Sequence, residues 1–186
     1  SSARLTAPIV AAAAIISPII AKLGIEVNAH VSAIGNVKSK PIAQCPKKWQ
    51  NVDCQLIRCQ DPEAAVDMIK LVEKHRMNLD SVGSEVELQI SGMPMGIGEP
   101  WFDGLEPYLA RAMMSIPAAR GVEFGEGFAA IEMKGSEHNN PWGGSKDNPV
   151  MLGEKPDGAL AGLSTGSDFF CKVAFKPPSS IPQEQV

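Results

Sequence analysis

The sequence predicts an α+β fold in which long helices pack on antiparallel β-sheets. Two observations favour this class: helical and strand-like segments alternate along the chain, and the strand-like segments alternate apolar with polar residues. Central strands of a parallel sheet are continuous apolar runs, so this alternation favours antiparallel sheets over a doubly wound parallel sheet. The chain has 186 residues, no internal repeat and no low-complexity tract, so we expect a single domain over residues 1–186.

The first helix is predicted from Ala3 to Leu23, where branched apolar residues recur at helical spacing between alanines. Pro18 is expected to kink or loosen this helix, and Gly24 is expected to end it. The apolar run 7–21 has the length of a signal-sequence core, but no small-residue cleavage site follows it. Lys22 also ends the run before the ~20 residues that a membrane span needs. We therefore expect a buried helix and no membrane.

The first strand is predicted from Ile25 to Ala33, with one apolar face and one wet face to which His30 and Ser32 belong. Residues 35–60 follow as an irregular connection, and connections of this length are often functional or mobile. The second helix opens at Asp61, a good N-cap residue that is followed by proline. Its apolar stripe consists of Ala65, Met68, Ile69 and Val72.

A second strand is predicted after Gly83, where Val86, Leu88 and Ile90 alternate with polar residues. The third helix is expected to start near Asp103, whose spacing to Glu106 fits a capping box. The buried face of that helix consists of Leu105, Leu109, Ala112, Met113 and Ile116.

The C-terminal part of the chain is predicted to be mostly strand and loop. The run GVEFGEGFAAIEMKG is typical of one or two strands bent at glycines. Residues 135–158 form a long polar loop, and the last strand runs from Phe169 to Phe175.

Composition excludes several function classes. The 17 Lys and Arg against 21 Asp and Glu give a net charge of −4, which excludes a protein that binds nucleic acid by bulk charge. Four cysteines in 186 residues exclude a disulfide scaffold. Cys45, Cys54 and Cys59 lack Cys-x-x-Cys spacing and a histidine pair, so we expect reduced thiols rather than a zinc site. Cys171 alternates with apolar residues and is expected in the core.

Histidines and glycines give no clear site. No cysteine or second histidine stands at metal-ligand spacing from His30, His75 or His138. We therefore expect these three histidines on the solvated surface. The Gly-x-Gly at Gly96–Gly98 is followed by Pro-Trp rather than by a helix with a third glycine, which argues against a dinucleotide site.

Two segments carry groups that bind anions. Ser1–Arg4 offers hydroxyls, backbone N–H groups and a guanidinium at the start of a helix. Lys176–Ser180 offers an ammonium and two hydroxyls on a stiff proline turn after a strand. Each segment alone is also typical of an ordinary helix cap or strand end. Together they fit a phosphate-bearing ligand held between two segments.

Motif strings along nearly the whole chain resemble chorismate synthase. The strings are SSARLTAPIVA, DPEAAVDMI, DSVGSEVE, GIGEPWFDGLEPYLARAMMSIPAARGVEFGEGF, GSEHN and GLSTGSDFFCKVAFKPPSSI. The resemblance implies a sandwich of antiparallel sheets around long helices, assembled as a homotetramer. It implies a lyase of aromatic amino acid biosynthesis, the shikimate pathway, that converts 5-enolpyruvylshikimate 3-phosphate to chorismate and phosphate by trans-1,4-elimination with reduced FMN. NADPH and a cytoplasmic location, or a plastid location in a plant, are part of the same expectation.

The resemblance also assigns site residues, position by position. It implies that Ser1, Ser2, Ala3 and Arg4 contact the flavin, and that Ser2, Ala3 and Arg4 also contact the substrate. It implies that Pro117, Ala118 and Ala161 approach FMN, with Ala161 where the family has glycine. It implies that Lys176, Pro177, Pro178, Ser179 and Ser180 contact the flavin, that Lys176 also contacts the substrate phosphate, and that Pro178 replaces threonine.

The resemblance leaves parts of the family pattern unmatched. Leu5 stands where the family has glutamate, and the family's two catalytic histidines and its Arg-x-Asp segment have no match in these residues. We therefore expect a central fragment of the enzyme with no catalytic residue of its own and no turnover alone. The alternative is a catalytically inactive structural or oligomerisation core that binds FMN weakly or not at all.

Overall fold

A computed structural model describes residues 3–45, 55–153 and 157–184. The chain divides into two compact units. The first unit consists of Ser1–Asn28, Gln89–Pro117 and Val122–Cys171. The second unit consists of Ala29–Leu88, Ala118–Gly121 and Lys172–Val186.

Helices and antiparallel strands together confirm the α+β class. The α-helices of the described residues are α1 (Ala7–Lys22), α2 (Pro62–Met77), α3 (Leu105–Met114) and α4 (Gly135–His138). The strands are β1 (Glu26–Ile34), β2 (Val37–Lys38), β3 (Ser84–Ser91), β4 (Ala119–Phe124), β5 (Trp142–Ser145), β6 (Asn148–Met151), β7 (Ala159–Leu160), β8 (Leu163–Ser164) and β9 (Phe169–Phe175). Five strands form one sheet in the order β2-β1-β3-β9-β4, while β5-β6 and β7-β8 are antiparallel hairpins.

The first helix forms as predicted, but the expectation that it is buried is wrong. α1 continues through Pro18 and ends at Lys22, and Gly24 follows the C-cap residue with a φ of 81°, which suits glycine just beyond a helix. None of its residues is buried, and Ile9 and Ile15 are 67% and 73% exposed. Arg4–Lys22 is long and apolar enough to cross a membrane, so the expectation that Lys22 ends the run too early for a span is wrong. Core helices of soluble proteins and signal sequences pass the same test. An apolar helix face predicts burial, but the pattern does not say against which surface the face would pack.

The core of the second unit forms around α2. Asp61 caps this helix as predicted, since its Oδ1 accepts hydrogen bonds from the N–H groups of Glu63 and Ala64 at 3.1 and 3.3 Å. The fully buried Met68 packs in one cluster with Ile34 and Cys59. Of the predicted stripe, Ile69 instead lies 38% exposed.

The prediction of a solvent-exposed polar face on β1 is wrong for the C-terminal half of the strand. His30 and Ser32 are 2% and 6% exposed, whereas Val27 is 55% exposed. The reason is that carboxylates on β3 satisfy these polar groups. The Ser32 hydroxyl donates to Glu85 Oε1 at 2.8 Å, and His30 Nε2 lies 3.0 Å from Glu87 Oε2. Buried polar groups are normally hydrogen-bonded. Alternation of apolar and polar residues alone therefore does not distinguish a solvent-exposed polar face from a buried, hydrogen-bonded one.

Other boundaries also differ from prediction. No capping box forms at Asp103, because Gly104 is the N-cap of α3 and Asp103 lies in the preceding 3-10 turn. Of the one or two strands predicted for the run GVEFGEGFAAIEMKG, one forms as β4, and a 3-10 segment, Gly127–Glu132, follows it. The loop predicted at 135–158 contains α4 and the β5-β6 hairpin, whose turn is closed by Asn148 N–H donating to Ser145 Oγ at 3.1 Å.

We expect Met68→Ala to destabilise the protein by about 2–5 kcal/mol, because truncation leaves a cavity in the α2 core. Urea unfolding followed by circular dichroism measures this loss. Met77→Ala is the matched control, since Met77 lies in the same helix and is 69% exposed. Equal losses in the two variants would show that Met68 does not anchor a core.

Candidate functional site

The best-defined candidate site lies where the chain leaves β9. We call residues Lys176–Ser180 the exit segment; all five are exposed. The backbone N–H of Lys176 donates to the carbonyl of Ala118 at 3.0 Å. This hydrogen bond brings together two positions that are far apart in the sequence and that the motif resemblance assigns to one ligand.

A turn ahead of β3 borders the exit segment on another side. The Ser81 hydroxyl donates to the carbonyl of Pro178 at 2.6 Å. A Cβ atom at Gly83 would lie 3.0 Å from the Phe175 carbonyl oxygen and 3.4 Å from Pro177 Cδ, so this close approach favours glycine. Neither residue is among the predicted site residues, although the DSVGSEVE string contains both.

The backbone at Ala118 is held in an uncommon conformation. Its φ is 71°, which costs a non-glycine residue about 1–3 kcal/mol. Ala118 is exposed and the preceding Pro117 is partly buried in the turn between α3 and β4. The hydrogen bond from Lys176 stabilises the carbonyl in this orientation.

Ala161 lies in the first unit, at the tip of the β7-β8 hairpin. It has a φ of 51° and precedes Gly162 with a φ of 89°, as two-residue hairpin turns require. The hairpin contacts the start of α3, because Leu105 N–H donates to the Gly162 carbonyl at 2.8 Å. A Cβ at Gly98 would lie 2.2 Å from the Gly162 oxygen, so this residue of the Gly-x-Gly serves close backbone packing.

The N-terminal anion segment is only partly described. Ser1 and Ser2 lie outside the described residues. Ala3 begins a 3-10 turn, Ala3–Thr6, that leads into α1, and Arg4 in this turn is exposed. Arg4 belongs to the first unit and Lys176 to the second.

The second unit contains a small cavity of about 270 Å³. Gly83 and Phe175, which neighbour the exit segment, form part of its wall, and Lys38 and Glu85 bring one charge of each sign. The volume lies below the ~300–1,000 Å³ typical of pockets for drug-sized ligands. The cavity alone therefore does not enclose a whole flavin.

A buried polar network in the second unit joins β1, β3 and the connection between them. Glu87 Oε2 accepts from the Ile42 N–H at 2.8 Å and lies 3.0 Å from His30 Nε2. His30 Nδ1 accepts from the Gln60 N–H at 3.1 Å. The His30–Glu87 pair therefore attaches the connection between β1 and β3 to the sheet at two points, Ile42 and Gln60.

The charge state of His30 is set by opposing effects. Burial disfavours the charged ring, but hydrogen bonds with Cys59 and Glu87 and the charge of Glu87 outweigh it and raise the pKa of His30 to about 9. Protonation of Nδ1 would displace the Gln60 N–H, so proton uptake is linked to the position of Gln60. The burial of His30 contradicts the expectation that this histidine lies on the solvated surface.

The described cysteines and acidic groups form no metal centre. Cys45, Cys59 and Cys171 are buried, and burial raises the pKa of Cys45 to about 11. Cys54 lies outside the described residues. In the first unit, burial and then the charge of Asp157 raise the pKa of Glu106. Over residues 3–45, 55–153 and 157–184, no group of three or more His, Cys, Asp or Glu is arranged to hold a metal ion.

Comparison with known proteins gives one consistent result. The family model described as chorismate synthase matches residues 1–186. The chorismate synthases of Methanosarcina acetivorans and Aeropyrum pernix are 40% and 41% identical over 100% and 98% of this chain. The chain spans about half the length of these relatives, 50% and 48%. A solved structure described as "Crystal Structure of Chorismate Synthase" matches 96% of this chain and 57% of its own, with a TM-score of 0.85 and 26% identity.

The His30 network predicts a pH-dependent stability. The folded pKa of about 9 exceeds the ordinary value of 6.5, so the contribution is complete below about pH 6.5 and is lost as the pH rises through about 9. The stabilisation by His30 is the difference in unfolding free energy between wild type and His30→Gln. We expect this difference to fall by on the order of 3 kcal/mol over this range. Urea titrations between pH 6 and 10 measure it. A constant difference would show that the Gln60 N–H keeps His30 neutral.

Proposed function

Because this chain belongs to the chorismate synthase family, we propose that it supplies the flavin- and phosphate-binding part of a lyase that converts 5-enolpyruvylshikimate 3-phosphate to chorismate. The reaction is a trans-1,4-elimination in which phosphate and a ring proton leave the substrate. The match to about half the length of the relatives supports a role as one part of such an enzyme.

The observation that carries this proposal is the hydrogen bond from Lys176 N–H to the Ala118 carbonyl at 3.0 Å. Both residues occupy positions that the family resemblance assigns to the flavin. Chance similarity of short strings gives no reason for them to meet in three dimensions. Their contact within one unit therefore supports a shared ligand.

The exit segment fits the phosphate group of FMN or of the substrate. Lys176 provides a positive charge, Ser179 and Ser180 provide hydroxyl donors, and all three are exposed. Reduced FMN, when bound, supplies the electron density that starts cleavage of the C–O bond. We propose that Lys176 stabilises the negative charge that develops on the departing phosphate. Among the described residues we assign no base for the ring proton.

A second candidate function is that of a structural or assembly core that binds FMN weakly or not at all. The exposed apolar side chains of α1 favour it, because Ile15 and Ile19 are 73% and 60% exposed and such surfaces mark interfaces. A homotetramer, as the family resemblance implies, would give α1 a partner. The flavin titration described next separates the two candidates.

We expect Lys176→Ala to weaken FMN binding about 10- to 100-fold, because it removes a charged group from a phosphate contact. Quenching of flavin fluorescence during titration with the purified chain measures the affinity. Lys146→Ala, at an exposed turn of the first unit, removes the same charge and is expected to leave the affinity unchanged.

Two outcomes would contradict this assignment. Equal losses in the Lys176 and Lys146 variants would indicate a non-specific charge effect, and no quenching by wild type would favour the assembly core.

The chain alone is expected to give no chorismate, because the resemblance implies two catalytic histidines that the matched motif strings do not contain. An anaerobic assay with dithionite-reduced FMN and 5-enolpyruvylshikimate 3-phosphate, followed by chromatography of the product, measures this. The full-length enzyme of Methanosarcina acetivorans serves as the positive control. Chorismate above the protein-free blank would show that these residues contain a complete catalytic set.

A further inference from the structure

The turn between α2 and β3 is fixed on both sides of Ser81. The Asp80 N–H donates to the His75 carbonyl at 2.9 Å, which ties the turn to the end of α2. The Ser81 N–H donates to Asp80 Oδ1 at 2.7 Å. Beyond Ser81, Val82 packs against the Met68 core cluster and Gly83 accepts from the Gly35 N–H at 3.0 Å. Ser81 therefore projects from a rigid support.

The exit segment, by contrast, has few backbone donors. Pro177 and Pro178 have no N–H, so this stretch makes no ladder hydrogen bonds through them. Lys176 N–H is bonded to Ala118, which fixes the start of the segment. The Ser81 hydroxyl bonds the Pro178 carbonyl at 2.6 Å, which fixes its middle, just ahead of Ser179. Serine holds this bond with a single side-chain rotor, so little entropy is lost.

We propose that Ser81 is a positioning residue for phosphate binding. By holding the Pro178 carbonyl, it fixes the peptide that leads into Ser179 and thereby the placement of both hydroxyls relative to Lys176. The inference rests on the proposed function in that the bound group is a phosphate monoester, from the flavin or from the substrate. Ser81 itself does not touch the ligand in this assignment; it acts through the exit segment.

The first test measures the segment without any ligand. In wild type, the ¹⁵N order parameter of Ser179 is expected near the value of about 0.85 for rigid backbone, and in Ser81→Ala below about 0.6. Ser81→Thr restores the hydroxyl and is expected to restore the order. Ser115→Ala is the matched control, since the Ser115 hydroxyl donates to the Ala112 carbonyl at the same 2.6 Å distance, at the C-terminal end of α3. Unchanged order at Ser179 in Ser81→Ala overturns the inference.

The second test measures binding. FMN affinity is expected to fall about 2- to 12-fold in Ser81→Ala, the loss of one neutral hydrogen bond, to recover in Ser81→Thr and to stay at the wild-type value in Ser115→Ala. Titrations with riboflavin, which lacks the phosphate, and with 5-enolpyruvylshikimate 3-phosphate distinguish the two sources of phosphate. If Ser81→Ala weakens riboflavin binding as much as it weakens FMN binding, a phosphate-specific role is overturned.

The two tests separate this inference from the proposed function. If wild type binds neither FMN nor the substrate, the proposed function fails, while the order of Ser179 still supports or overturns the positioning by Ser81. If wild type binds FMN and Ser81→Ala binds it equally well with an ordered Ser179, the function stands and the inference fails. Urea unfolding of all variants ensures that affinities are compared on folded protein.

Discussion

The burial of one face of β9 fixes the position of the candidate site. Phe169, Cys171 and Val173 alternate along this strand and are 0%, 1% and 3% exposed. Burial of a Phe or Val side chain contributes about 1.5–3 kcal/mol. A slip by one residue would expose all three and bury Lys172, so the register of β9 is strongly specified. The point at which Lys176 leaves the sheet follows from that register.

The neighbours of β9 determine what meets the exit segment. In the five-stranded sheet β9 lies between β3 and β4. Antiparallel neighbours place the start of one strand beside the end of the next. Ala118 precedes β4 and Ser81 to Gly83 precede β3, so both turns reach the end of β9. The candidate site is thus a consequence of strand order, and the side chains that form it need no proximity in sequence.

Local signals predicted the parts of the fold that local chemistry decides. The bounds of β9 and the Asp61 cap of α2 are confirmed, because alternation and capping each depend on a few adjacent residues. The burial of His30 was missed, since it depends on Glu87, a residue of another strand. The capping box at Asp103 failed because the chain turns at Gly104 first. The motif resemblance named Ala118 and Lys176, but neither spacing nor periodicity indicated that they meet or that Ser81 joins them.

Backbone strain gives a second, independent view of the site. Ala118 and Ala161, both assigned to the flavin by resemblance, are non-glycine residues with positive φ. Arg58, Leu79 and Trp101 share this property, so strain alone does not identify a ligand site. At Ala161 the hairpin turn itself requires the conformation. At Ala118 the strained carbonyl accepts the Lys176 N–H, so the conformation that costs energy locally is the one that binds the exit segment to β4. Strain that is offset by a contact to a candidate ligand-binding residue carries more weight than strain explained by a turn.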